Sequence, residues 1–132
     1  MRIAILGCGK LGSRLAAKLS EAGHQIVVMD RNPEALKQLG SNFKGETLAG
    51  AVFIEANIER VFQEKVDIFI AATDKDNVNI MFAQWIRNRF KVPRVIPRVY
   101  DPIVARSYRD VGLETICPTD MAFEAIQLMI KE

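Results

Sequence analysis

The stretch RIAILGCGKLG, from Arg2 to Gly12, constrains this chain more than any other. It opens with an apolar run, Ile3-Ala4-Ile5-Leu6, of the kind that fills a parallel strand buried on both faces. Three glycines follow at Gly7, Gly9 and Gly12, and Leu11, Leu15, Ala16 and Leu19 then recur with helical spacing. Strand, glycine turn and helix in that order are the context in which G-x-G-x-x-G has a physical meaning. Gly7 permits the tight turn, Gly9 lets the backbone approach a pyrophosphate, and Gly12 lets the helix pack closely on the strand. The unpaired N–H groups and partial positive charge of the helix start then face the phosphates.

A second apolar run, Gln25-Ile26-Val27-Val28-Met29, ends at Asp30. A carboxylate at the carboxyl end of the second strand is placed to accept hydrogen bonds from an adenosine ribose, and it repels the 2′-phosphate of NADP. Asp30 also precedes Asn32-Pro33, a good helix opening, so a turn or capping role is open as well.

The chain has 132 residues and reads as one domain, long enough to bury a core without staples. A net charge of +2 is too small to argue for nucleic acid or an anionic membrane. Cys8 and Cys117 form no metal or redox spacing. Cys8 stands in the phosphate turn, where a helix start can lower a thiol pKa, but a small residue that fits the turn explains it better. No secretory leader opens the sequence and no apolar run spans a bilayer, so the expected location is the cytoplasm.

Further along, Pro33 to Leu39 reads as a short helix stopped by Gly40, Thr47 to Ile54 as a third strand, and Glu55 to Gln63 as a helix. Asp67 to Ala72 is a fourth strand ending in Thr73-Asp74, followed by a helix from Asp76 to Phe90. Arg94 to Val99 is a fifth strand, Pro102 to Asp110 a helix, and Glu114 to Cys117 a short sixth strand. Thr119, after Pro118, is placed to cap a final helix through Ile130. The expectation is an α/β fold: a doubly wound, parallel, six-stranded Rossmann-like sheet in the order 3-2-1-4-5-6. Residues 1–117 would form the nucleotide-binding lobe, and 118–132 a helix packing on it or on a partner subunit. The ligand crevice falls where the strand order reverses, gathering Gly7 to Leu11, Asp30-Arg31 and Ala72 to Asp74. Surplus apolar residues at Met81, Trp85 and Phe90, and at Met121, Phe123, Ile126, Met129 and Ile130, point to self-association.

Four segments carry a resemblance: IAILGCGKLGSRLA with Asp30, FIAATDKDNVNI, VPRVIPRVYDP and GLETICP. In this order they resemble the nucleotide-binding lobe of Trk/Ktr potassium-uptake regulatory subunits, the TrkA-N or RCK (KTN) domain, over essentially the whole chain. The resemblance implies a regulator rather than a catalyst. Such domains bind NAD(H), AMP, ADP or ATP, assemble into dimers and rings, and pass ligand-dependent shape changes to a membrane-embedded potassium channel or transporter. It places Gly7, Cys8, Gly9, Lys10 and Leu11 at the phosphates, Asp30 at the ribose and Arg31 beside the adenosine. Ala72, Thr73 and Asp74 would flank the phosphates from the fourth strand, and Arg98 would be a second cation there or a partner of a neighbouring acid. The sequence departs from the family after Gly50, where the usual acid is replaced by Ala51-Val52-Phe53-Ile54, and Ala51 and Val52 are expected near the base. Members often carry a further small lobe after the final helix, which would lie beyond Glu132.

Two other functions fit a nucleotide fold. A small NAD-dependent oxidoreductase needs a proton donor or base, but the single histidine, His24, precedes the second strand, and no Tyr-x-x-x-Lys pair occurs. A module that binds another partner, with the nucleotide purely structural, is the other.

Overall fold

The computed structural model describes residues 1–50 and 55–131. Strand β1 (Arg2–Leu6) runs through the glycine turn into α1 (Lys10–Glu21), and β2 (Gln25–Asp30) follows. A 3₁₀ helix (Pro33–Leu39) leads to β3 (Glu46–Ala49), α2 (Glu55–Val61) and β4 (Ile68–Ala71). Then come α3 (Asp76–Phe90), β5 (Arg94–Pro97), α4 (Pro102–Asp110) and α5 (Pro118–Ile130). The sheet is parallel, in the order β3-β2-β1-β4-β5, with Ile3 level with Ile26 on one side and Ile68 on the other.

The expected Rossmann-like order therefore holds for five strands. The sixth is reduced to one parallel bridge between Arg98 and Ile116, because β5 ends at Pro97 and a proline offers no N–H to extend a ladder. The third strand is shorter than expected, and the rest of the reading for it, Ala51 to Ile54, lies outside the described residues.

Alternation along β1 divides the core. Ile3 and Ile5 face α1 and the 3₁₀ helix, in a layer with Ala16, Ile26, Val28 and Leu39. Ala4 and Leu6 face the opposite layer, with Ile58, Phe69, Phe82, Ile86 and Leu113. Both faces of β1 are thus covered, which is why Ile3 to Leu6 is continuously apolar.

The surplus apolar residues of α3 have another explanation than an interface. Phe90 stacks on Phe62 with ring centroids 4.8 Å apart, and Trp85 meets Phe82 and Phe90 edge-on. Of the three residues expected at a subunit surface, only Met81 is exposed. On α5 the opposite holds. No residue of this helix is buried, and Met121, Phe123, Ile126, Leu128, Met129 and Ile130 all face outward. The helix also starts differently from expectation. Cys117 occupies the N-cap and Pro118 the first helical position, while the Thr119 hydroxyl donates to the Tyr100 carbonyl at 2.7 Å.

Candidate functional site

The turn after β1 needs its glycines for separate reasons. Gly7 has φ +102, and a Cβ there would stand 2.7 Å from the Ala72 carbonyl oxygen. On Gly12 a Cβ would run into the Gly7 carbonyl, so α1 can start this close to β1 only without one. Around Gly9 there is open space on the side a Cβ would occupy. Gly9 is also the N-cap of α1, and among the described residues no side-chain cap bonds the helix start.

Gly9 also lines a cavity of about 290 Å³ at the carboxyl ends of β1 and β4, where the strand order reverses. Gly7, Cys8, Gly9, Asp30, Arg31, Ala72, Thr73, Asp74 and Arg98 all line it. Nine of the thirteen residues expected at the site are thus brought together, from four separate segments of chain. Lys10 is exposed on the first turn of α1 and does not line the cavity. Leu11 lines a smaller, adjoining apolar cavity of about 240 Å³ with Leu15, Ile70, Ile96 and Ile116, and the two share Ala72 and Arg98. Ala51 and Val52 lie outside the described residues.

Asp30 is tied to the glycine turn itself. One carboxylate oxygen accepts from the Cys8 N–H at 2.8 Å, and the other accepts from the Asn32 N–H at 2.8 Å. Asn32 in turn caps the 3₁₀ helix by accepting from the Glu34 N–H. The turn reading of Asp30 is seen directly in these bonds, and a carboxylate with two bonds retains acceptor capacity.

Cys8 is buried, and its thiol pKa is pushed up by desolvation and then by the nearby Asp30 carboxylate. The helix start does not produce a reactive thiolate here, and the side chain packs as a small apolar group.

The opposite wall is held by Asn79, on α3. Its Oδ1 accepts from the Thr73 N–H at 2.9 Å and the Thr73 hydroxyl at 2.6 Å. Its Nδ2 donates to the carbonyls of Thr73 at 3.0 Å and Arg98 at 2.8 Å. The Arg98 guanidinium donates to the same Thr73 carbonyl at 2.8 Å and lies 4.9 Å over the Tyr100 ring. Among the described residues Arg98 thus makes cation–carbonyl and cation–π contacts and no ion pair.

Sequence reasoning missed Gln38, Lys75 and Asn79. Gln38 and Lys75 line the cavity, and Gln38 donates to the Cys8 carbonyl at 3.0 Å from the 3₁₀ helix. Nothing in the sequence marks Gln38. Asn79 carried a readable signal, since a polar residue on the apolar face of a helix needs partners when buried. His24 is remote: it lies beside the Met1 amino group before β2, at the other end of the sheet.

The model of the family described as the TrkA-N domain matches residues 3–118. The chain belongs to that family. Curated relatives include the Trk system potassium uptake protein TrkA of Streptomyces coelicolor, 38% identical over 88% of this chain and 52% of the relative. The Mycobacterium tuberculosis protein of the same name is 33% identical over 77% of this chain and 46% of the relative. This TrkA-N chain therefore spans about half the length of those relatives. Among solved structures it is similar to the Kef CTD of Shewanella denitrificans in AMP-bound form, with a TM-score of 0.75, 16% identity, and coverage of 100% of this chain and 84% of the other. It is also similar to the NAD(P)-binding domain of an exopolyphosphatase-related protein from Archaeoglobus fulgidus, with a TM-score of 0.78, 19% identity, and coverage of 97% and 96%. At such identities these structures establish the shared fold. Among the described residues, no helix is long and apolar enough to cross a membrane.

Proposed function

We propose that this TrkA-N domain is a nucleotide-responsive regulatory lobe of a potassium uptake system, not an enzyme. It works in the cytoplasm, at the inner face of the membrane that holds its transporter partner. The observation that carries the reading is the cavity at the strand reversal, where an uncapped helix start, the Asp30 carboxylate and Arg98 converge. The α1 N–H groups and Gly9 take the pyrophosphate, Asp30 the adenosine ribose, and Thr73 and Arg98 the far side of the phosphates. Cys8, Arg31 and Asp74 complete the walls, with Lys10 as an outer cation.

Adenine nucleotides and NAD(H) all fit this scheme. The adjoining apolar cavity favours NADH, because an uncharged dihydronicotinamide can enter it without the desolvation cost of a terminal phosphate. α5 supplies the route outward. Its exposed apolar residues are suited to a second copy of the chain, and a change in dimer geometry would reach the membrane partner.

Calorimetric titration of the protein with NAD, NADH, AMP, ADP and ATP, with sedimentation velocity alongside, tests this. The expected result is saturable binding led by NADH, with a ligand-dependent change in assembly. Binding with no change in assembly would reduce the nucleotide to a structural ligand, and no binding at all would remove the function from this crevice.

A further inference from the structure

We propose that Asn79 is the positioning residue of the phosphate wall, presenting Thr73 and Arg98 to the anionic part of a bound nucleotide. The proposal rests on the nucleotide-binding reading of the cavity and goes beyond it. Asn79 is fully buried and points inward from α3, so it cannot itself touch a ligand. All four of its side-chain hydrogen-bonding positions are used, and every one goes to Thr73 or Arg98. Thr73 lies just past the end of β4 and Arg98 just past the end of β5, where the last backbone bond between the two is from the Arg98 N–H to the Ala71 carbonyl at 2.8 Å.

The carboxamide therefore acts as a clamp across the end of the sheet. The Thr73 carbonyl it holds also accepts from the Arg98 guanidinium, so Asn79 sets the carbonyl that aims the cation. Arg98 is poised rather than saturated: its Nε is buried and has no hydrogen-bond partner among the described residues. A charged donor left short of acceptors beside an anion cavity gains from an arriving phosphate oxygen. In this arrangement adenosine would not sense the clamp, whereas each added phosphate would.

The test is the affinity of the wild-type protein and of Asn79→Asp for adenosine, AMP and ADP. The substitution keeps the side-chain volume and removes both N–H donors. It should leave adenosine affinity unchanged and lower ADP affinity roughly tenfold or more, as losing an aligned hydrogen bond to a charged group does, with AMP between them. A folded variant that loses adenosine and ADP equally, or neither, overturns the proposal while leaving the nucleotide site standing. Wild-type protein that binds none of the three overturns the proposal, and the nucleotide site falls with it if NAD and NADH also fail to bind. Should the variant not fold, the side-chain amide signals of Asn79 in wild-type protein decide by NMR. They should move on addition of ADP and stay still with adenosine, and immobility with ADP overturns the clamp.

Discussion

Gly9 and Gly12 lie on one turn, yet substitution at each has a different consequence. A side chain on Gly12 meets backbone, whereas one on Gly9, in the lining of the cavity, meets open space. Gly9→Val is therefore expected to fold with a nearly unchanged thermal midpoint and to abolish measurable nucleotide binding in calorimetry. Normal affinity would show that the phosphates lie elsewhere. Asp30→Ala is less clean than a simple ligand deletion, because the Cys8 and Asn32 N–H groups lose their acceptor. It should weaken every adenosine nucleotide by about 1–3 kcal/mol and also lower stability, both readable from a ligand-dependent melting series. Cys8 gives the pH-dependent case. Its raised pKa means that folding favours the protonated thiol. Stability from this group is fully present below the ordinary thiol pKa and is lost as pH rises through the raised value. Native protein should accordingly resist iodoacetamide at pH 8 until unfolded, and rapid alkylation in the native state would contradict the burial.

At the scale of elements, α3 and α5 show how similar composition can serve opposite ends. The apolar surplus of α3 is consumed inside the domain, where Phe62, Phe82, Trp85 and Phe90 form one aromatic cluster. The surplus of α5 is not consumed at all. Its first turn is fastened through Thr119 to Tyr100 and through Asp120 to Arg109, leaving the rest outside the core. An isolated helix of this length is marginal in water, so α5 gains from being covered. Phe123→Glu combined with Met129→Glu should lower self-association in sedimentation velocity without changing nucleotide affinity. An unaltered sedimentation profile would place the interface elsewhere.

For the whole molecule, the cavity joins segments distant in sequence, from β1, β2, the 3₁₀ helix, β4 and the end of β5. A ligand there links elements that otherwise separate on unfolding, so its binding energy becomes folding energy. The preferred nucleotide at a hundred times its dissociation constant should stabilise the domain by about 2.7 kcal/mol, visible as a rise in thermal midpoint. No rise with any adenine nucleotide would contradict the site. The same connectivity joins the crevice to α5. Tyr100 lies under the Arg98 guanidinium, gives its N–H to Asp76, and accepts from Thr119 with its carbonyl.

Local chemistry made much of this readable from sequence. The order of β1, glycine turn, α1, β2 and Asp30 follows from apolar runs, glycines and a terminal acid, which act within a few residues of themselves. The α3 boundaries, Asp76 and Phe90, were equally legible because helical periodicity is a local property. By itself the sequence determined the fold class, the strand order through β5 and most of the cavity's lining. Tertiary structure alone decided what depends on distant neighbours. The aromatic residues of α3 turn inward because α2 brings Phe62 to them. The sixth strand shrinks to a bridge at Arg98, beside Pro97, which has no N–H to give it. Gln38 and Asn79 reach the site through hydrogen bonds between elements, whose partners no run of residues reveals, since each partner's position is set by packing.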